Sequence, residues 1–251
     1  MKLNKAISAL LLTLSLSSVH TAQADTVLGL FVGGGTWQSK PSGSFNAGDN
    51  INLGDFLSLD STSSTYIFAA LEHPLPFIPS VKLSMTDYAD DVTTTFSQSK
   101  TFKSTTYTAG SSVNTQIDLN FTDLTLYYEV LDNWVSLDLG LTARQFNGSI
   151  TLASGSTTSS TDITGTYPLA YVKAQFDLPL TGLFAGAEAN ALSLREKAKS
   201  NDISLYLGYE AEMGLGAIAG YRQISYSFDD LNALNSDIDI AGPYLSIYFH
   251  L

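Results

Sequence analysis

Apolar and polar residues alternate along most of this 251-residue chain with a period of two, the period that a β-strand imposes by pointing successive side chains to opposite faces. The clearest run sets Val135, Leu137, Leu139, Leu141 and Ala143 against Ser136, Asp138, Gly140, Thr142 and Arg144. Its length matches the roughly 9 to 11 residues with which a tilted strand crosses the hydrocarbon layer of a membrane. Similar alternation predicts strands at Thr26 to Trp37, at Thr65 to Glu72 and around Val81, Leu83 and Met85. A fourth, Val113 to Val130, has two apolar sets that are out of phase, and the step at Thr122-Asp123 predicts either a bulge or the point where the strand leaves the membrane. Further strands follow at Ala170 to Leu178, Leu183 to Leu194 and Ile203 to Glu212, then up to about Phe228 and from near Asp237 to Leu251. That makes ten.

The connections sort into two kinds. Polar segments at Ser39 to Ser64, from Asp90-Asp91 to Ser112, at Asn147 to Gly165, at Arg195 to Asn201 and at Asp229 to Ser236 read as loops, most of them long. The others are short: His73 to Pro79 with three prolines, Asp132-Asn133, Pro179 to Gly182 and Gly214 to Gly216. Gly33-Gly34-Gly35 reads as a bulge or as a place where neighbouring side chains fill the interior. Alternation alone fits a soluble lipocalin-like barrel equally well. Long loops at one end, short turns at the other and an even strand count favour a single antiparallel transmembrane β-barrel with longer extracellular loops, short periplasmic turns and both termini periplasmic. The polar faces then place Asp138, Arg144, Lys173, Asp177, Glu188, Glu210, Glu212 and Arg222 as lumen-facing charged candidates.

The final strand sharpens this expectation. Leu245, Ile247, Phe249 and Leu251 share one face, and Tyr244, Ser246, Tyr248 and His250 the other. An edge strand with an unbroken apolar face invites aggregation unless it closes a sheet.

Composition changes the picture in three ways. Lys2 and Lys5, an apolar run from Ala6 to Val19 and Ala22-Gln23-Ala24 have the parts of a cleaved signal peptide over 1–24, leaving 25–251 as one barrel domain. The apolar run is too short to span a bilayer as a helix, and no later stretch approaches the required length. Charged residues make up only 14% of the chain, against about 25% for an average soluble domain. The formal net charge of -12 argues against nucleic acid as a partner, and the absence of cysteine excludes disulfides and thiol chemistry.

The terminal pattern resembles the C-terminal signal of bacterial outer-membrane β-barrels, with Leu245, Ile247, Phe249 and Leu251 as the assembly-signal positions; Leu251 stands where that family usually has Phe. The segments DTVLGLFVGG, ALEHPLPFIPSVKL, DLTLYYEVLDNWVSLDLGLT and LPLTGL resemble a family of small proteobacterial outer-membrane β-barrel proteins with a Gly-Gly pattern and no assigned function, over nearly the whole mature chain. That resemblance implies the outer membrane of a Gram-negative bacterium, contacts with lipid and lipopolysaccharide, and the barrel-assembly machinery as a partner of the last strand.

Candidate chemistry is sparse. Ten-stranded outer-membrane proteases show that such barrels can be enzymes, but His20 belongs to the signal, and His73 and His250 lie at the turn end, away from any outer-rim nucleophile. Asp87, Asp90, Asp91, Asp229, Asp230, Asp237 and Asp239 offer hard oxygen ligands without the spacing of a dedicated loop, so no metal ligand and no cofactor is assigned. Eight strands enclose an interior that side chains just fill, so ten leave a narrow lumen at best. Pairing of Arg144, Lys173 and Arg222 with Asp138, Glu188, Glu210 and Glu212 would plug it. The sequence therefore favours a non-enzymatic envelope barrel with a largely filled lumen. A narrow cation-preferring channel is the alternative and a barrel enzyme the third reading.

Overall fold

The computed structural model describes residues 28–194, 198–231 and 234–251. The signal peptide expected at 1–24 lies outside them. The order is β1 (Gly29–Asn46), β2 (Asn50–Asn52), β3 (Thr62–Glu72), β4 (Ser80–Asp87), β5 (Ala89–Thr95), β6 (Lys100–Phe102), β7 (Thr105–Tyr107), β8 (Ser112–Leu131), β9 (Val135–Ser154), β10 (Thr157–Leu178), β11 (Leu183–Leu194), β12 (Ala198–Glu210), β13 (Leu215–Leu231) and β14 (Leu234–His250). Each long strand pairs antiparallel with its neighbours in sequence, and β14 returns to β1, which closes the sheet into a barrel. β4 and β5 keep one register against β8 through Tyr88, so the wall has ten strands. The small strand β2 pairs along β1, and β6 and β7 form a separate two-stranded sheet in the connection after β5.

The faces fall as the alternation predicts. Leu139 and Leu141 on β9, Leu205 and Leu207 on β12, and Leu245, Ile247 and Phe249 on β14 all point outward and are exposed. With Leu83 and Met85 on β4 and Val172 and Phe176 on β10 they form an apolar girdle, whose free energy in water would be prohibitive and which a bilayer satisfies. Aromatic Phe77, Tyr128, Trp134 and Tyr209 ring its turn end, where amphipathic rings sit at a membrane surface.

Several expected loops are strand. β1 runs on to Asn46, and Asn147 to Gly165 is no loop: β9 and β10 stay in unbroken register from Phe176↔Val135 to Thr157↔Ser154, around a tight turn at Gly155 with φ of 59°. The second half of the expected Arg195 to Asn201 loop is the start of β12, and most of Asp229 to Ser236 belongs to β13 and β14. Many of their polar residues, such as Thr158, Ser160 and Thr164, resemble a loop because they face solvent, which needs no hydrophobicity. The phase step in β8 has the second of its two expected causes. Pairing with β9 is continuous from Asn114 to Glu129, with no bulge at Thr122-Asp123. Below the step Leu124 and Leu126 face outward; above it Ile117, Leu119 and Phe121 face inward and are buried. The strand does not slip. The apolar environment changes from lipid outside to a core inside.

That core fills the hairpin-end half of the barrel. Phe146, Ile150 and Leu152 of β9, Ile224, Tyr226 and Phe228 of β13 and Ile238 and Ile240 of β14 converge within it. The connections cap it from above: Ile51, Leu53, Leu57, Phe96 and Phe102 are fully or almost fully buried, with Phe45 packed edge-on against Phe102 at 5.7 Å. A hydrophobic plug of this kind was not legible in the sequence, where only a polar filling was expected.

The glycines Gly33 to Gly35 form no bulge, since β1 pairs with β14 without a break from Phe31 to Trp37. A Cβ at Gly33 would collide with Tyr248 and Phe68, both reaching over it into the lumen. Gly186 opposite Tyr206 and Gly208 opposite Phe184 repeat the arrangement, so missing side chains on one strand make room for rings from the next.

Candidate functional site

Below the hydrophobic plug the lumen is crossed by a network of charge. Arg144 of β9 donates from Nε and Nη2 to the two carboxylate oxygens of Asp123 on β8, at 2.8 and 2.7 Å. Its Nη2 also donates to Asp202 Oδ2 on β12 at 2.6 Å. Arg222 of β13 reaches the same carboxylate from the other side, Nε to Oδ1 at 2.9 Å and Nη2 to Oδ2 at 2.7 Å. Both guanidinium groups lie over the Phe121 ring, at 4.0 and 5.7 Å, and Arg222 also over Trp37 at 5.3 Å. The Arg144 side chain has no solvent exposure. Two arginines and two aspartates cancel in charge, and the planar forks suit bidentate carboxylate geometry. Four strands are tied together across the barrel at the level where its filling turns from apolar to polar.

Toward the turn end the interior opens into a cavity of about 1680 Å³. Tyr66, Tyr127, Tyr171, Tyr206, Tyr244 and Tyr248 line it, and it emerges between the turns at Asp132-Asn133, Pro179 to Gly182 and Ala211 to Gly214. Lys82 on β4 is held by both oxygens of Glu188 at 2.7 Å, with its ammonium 5.9 Å from the Phe68 and Tyr171 ring centres. Lys173 pairs with Asp138 at 3.5 Å. Closer to the mouth, Tyr127 donates to Glu72 at 2.7 Å and Tyr248 to Glu210 at 2.6 Å. His250 Nδ1 lies 3.0 Å from the other Glu210 oxygen, its ring stacked on Phe31 at 3.9 Å.

The sequence-selected charges thus divide. Asp138, Lys173 and Glu188 line the cavity wall, Asp177 stands near its mouth and accepts from Gln175 at 2.9 Å, and Arg144 and Arg222 belong to the network above. Glu210 ends β12 at the rim. Glu212 is not on the lumen wall: it sits exposed in the β12–β13 turn, because the strand ends at Glu210. The expected partners change as well. Asp123 and Asp202, not Asp138, Glu188, Glu210 or Glu212, hold the arginines, and Glu188 takes Lys82. Asp202 escaped notice because it falls between the expected loop ending at Asn201 and the expected strand starting at Ile203, although it keeps the inward phase of Ser204 and Tyr206. Asp123 sits at the phase step itself. Of the histidines, His73 and His250 both lie at the turn end, where no serine hydroxyl bonds to either among the described residues. Asp91 receives the side-chain amides of Asn114 and Gln116 at 2.5 and 2.9 Å on the outer surface of β8.

The positions Leu245, Ile247, Phe249 and Leu251 all face outward at the seam, where Phe249 lies opposite Val32 of β1 and Leu215 of β13. Leu251 continues the seam through two backbone hydrogen bonds with Leu30.

No protein-family model and no curated protein matches the chain. Among solved structures it is similar to the outer membrane protease OmpT from Escherichia coli, with a TM-score of 0.50 and 8% identity over 89% of this chain and 96% of that one. The translocator domain of the autotransporter NalP from Neisseria meningitidis gives a TM-score of 0.48 at 13% identity, covering 88% of each chain. The Pseudomonas putida toluene transporter TodX gives 0.35 at 8% identity, covering 90% of each. At these identities the likeness concerns the fold alone: the chain has the fold of an outer-membrane β-barrel.

Proposed function

We propose that this protein is a non-enzymatic barrel of the Gram-negative outer membrane whose lumen is sealed, and that its role is envelope structure or surface interaction through the hairpin end. The observation that carries this reading is the double closure of the interior. The Asp123–Arg144–Asp202–Arg222 network crosses the barrel, and the hydrophobic core stands directly on top of it. An ion following the lumen would have to break a largely buried ion-pair network and then cross an apolar core, each a barrier of many kcal/mol. The girdle, the long β9–β10 hairpin at one end and the short turns at the other support an orientation with the turns in the periplasm. The sequence segments alone extend the proposal to membership of the Gly-Gly family of small outer-membrane barrels, export by a signal peptide at 1–24 and contacts with lipopolysaccharide and the assembly machinery.

Single-channel recording of the refolded protein, residues 25–251, in a planar bilayer tests the seal. The expected result is silence from protein shown to be folded by its heat-modifiable mobility. Discrete steps with cation preference would overturn the reading in favour of the narrow channel, for which the acidic lining of the cavity is the supporting observation.

A further inference from the structure

The sealed barrel keeps one large interior space, and nothing in the seal requires it. A filled lumen needs only side chains of matching volume, as the hairpin-end half demonstrates. The turn-end half instead surrounds a cavity of about 1680 Å³ with aromatic rings and carboxylates. We infer that this cup is a binding site for a small organic ammonium ion entering from the turn end, recognised by the tyrosine faces and by the carboxylates of Glu72, Glu129 and Asp177.

Three observations converge on that chemistry. The first is the sign of the charge. Glu212 in the turn apart, nine side-chain carboxylates line the cavity and the network that closes it, against four cationic side chains, Lys82, Lys173, Arg222 and the network's Arg144, a formal excess of five negative charges. Lys82, Lys173 and Arg222 are engaged by Glu188, Asp138 and Asp202. Glu72, Glu129 and Asp177 form no ion pair among the described residues, and all three stand toward the mouth.

The second is the character of the rest of the wall. A carboxylate cluster alone would suit a hydrated metal ion, which avoids aromatic surface. This cavity is lined by six inward-facing tyrosines together with Phe31, Phe68 and Phe184, and Tyr209 stands at its mouth. Aromatic faces attract cations through the ring quadrupole and favour large, weakly hydrated ammonium groups over small hydrated ions. The Tyr127 and Tyr248 hydroxyls, which donate to Glu72 and Glu210, add electron density to their rings and fix them in place.

The third is that the wall already binds an ammonium group in this manner. The Lys82 Nζ lies between the Phe68 and Tyr171 rings, each 5.9 Å from it, and takes both oxygens of Glu188 at 2.7 Å. Tyr127 and Glu72, joined by a hydrogen bond at 2.7 Å, bring a ring and a carboxylate together in the same wall without an internal cation.

The inference rests on the sealed-lumen reading, because a closed inner end makes the cavity a site instead of a passage. The test is calorimetric titration of the full barrel, folded in detergent, with spermidine and separately with tetramethylammonium, which has no hydrogen-bond donor and reports on the ring faces. Saturable one-to-one binding of both is expected, weakened about tenfold in the double variant Glu72→Gln, Glu129→Gln, whose heat-modifiable mobility shows that it still folds. No binding overturns the site, as does binding that the double variant leaves unchanged. Displacement of both probes by an equal concentration of Mg²⁺ overturns the aromatic part of the argument, and tighter binding of a lysine-containing peptide than of spermidine overturns the small-molecule assignment. The seal fails separately: a barrel that conducts ions yet binds both probes keeps the site, and a silent barrel that binds neither loses it.

Discussion

Arg144 is the cation that faces Asp123 and one of two that face Asp202 inside the barrel. Replacing it with alanine leaves Asp123 buried without a cation and Asp202 with one arginine instead of two. Removal of one partner of a buried ion pair costs about 3 to 5 kcal/mol, and Arg144→Lys recovers little of it, since a single ammonium cannot serve two carboxylates through a planar fork. Urea unfolding in lipid vesicles reads both losses. Gly35 answers to a different force, close approach. Its absent Cβ would overlap the Leu245 carbonyl across the β1–β14 seam, whereas Gly54 has only Asn52 Oδ1 at 3.8 Å. Gly35→Ala is expected to destabilise by about 1 to 3 kcal/mol and Gly54→Ala to be nearly neutral in the same assay. Asp90, in the hairpin-end half, is held above the ordinary carboxylate range, chiefly by burial and further by the Asp91 and Asp60 charges. Folding thus favours its protonated form. Its ionisation lowers stability at neutral pH, and the loss disappears as pH falls through the raised value. Asp90→Asn should therefore raise the unfolding midpoint at pH 7 more than at pH 4.

At the scale of elements, the outward faces within the girdle were legible because lipid demands a strict period. Strand ends were not. Where β9 and β10 leave the girdle, residues such as Thr158, Ser160 and Thr164 face water on one side and the apolar set moves to the other, so the alternation continues with its sign reversed. Reading it requires knowing where the membrane stops. The lumen charges show the same limit: their inward phase could be read, whereas the pairing of Arg144 with Asp202, 58 positions away, depends on barrel size and shear. Two predictions belong to this scale. A peptide inserted at Gly155, where a Cβ would meet nothing within 4 Å, should leave folding intact and become accessible to protease on whole cells. Deleting Phe249 to Leu251 removes the β1 and β13 partners at the seam, and the outer-membrane yield of that truncation is expected to collapse. Normal yield would show that the seam does not depend on its last residues.

For the whole molecule, two solvents meet one sheet. The turn-end half is a barrel with lipid outside and a polar, hollow interior; the hairpin-end half is closer to a soluble β-sandwich, with water outside and a packed apolar core. The Asp123–Arg144–Asp202–Arg222 network marks the boundary between them, as a polar layer must where neither solvent nor core suffices.

The height of the girdle has a consequence of its own. On β9 and β10 the outward apolar positions span about nine residues, Val135 to Ala143 and Ala170 to Leu178. With a rise of about 3.3 Å per residue and a tilt near 40°, that span is roughly 23 Å tall. A bilayer of common thickness, about 30 Å, would have to thin around the barrel, whereas a thinner one fits without deformation. The protein thus carries a gauge of membrane thickness in its outer face, and spontaneous insertion should be faster and more complete in vesicles of short-chain lipids than in those of long-chain lipids.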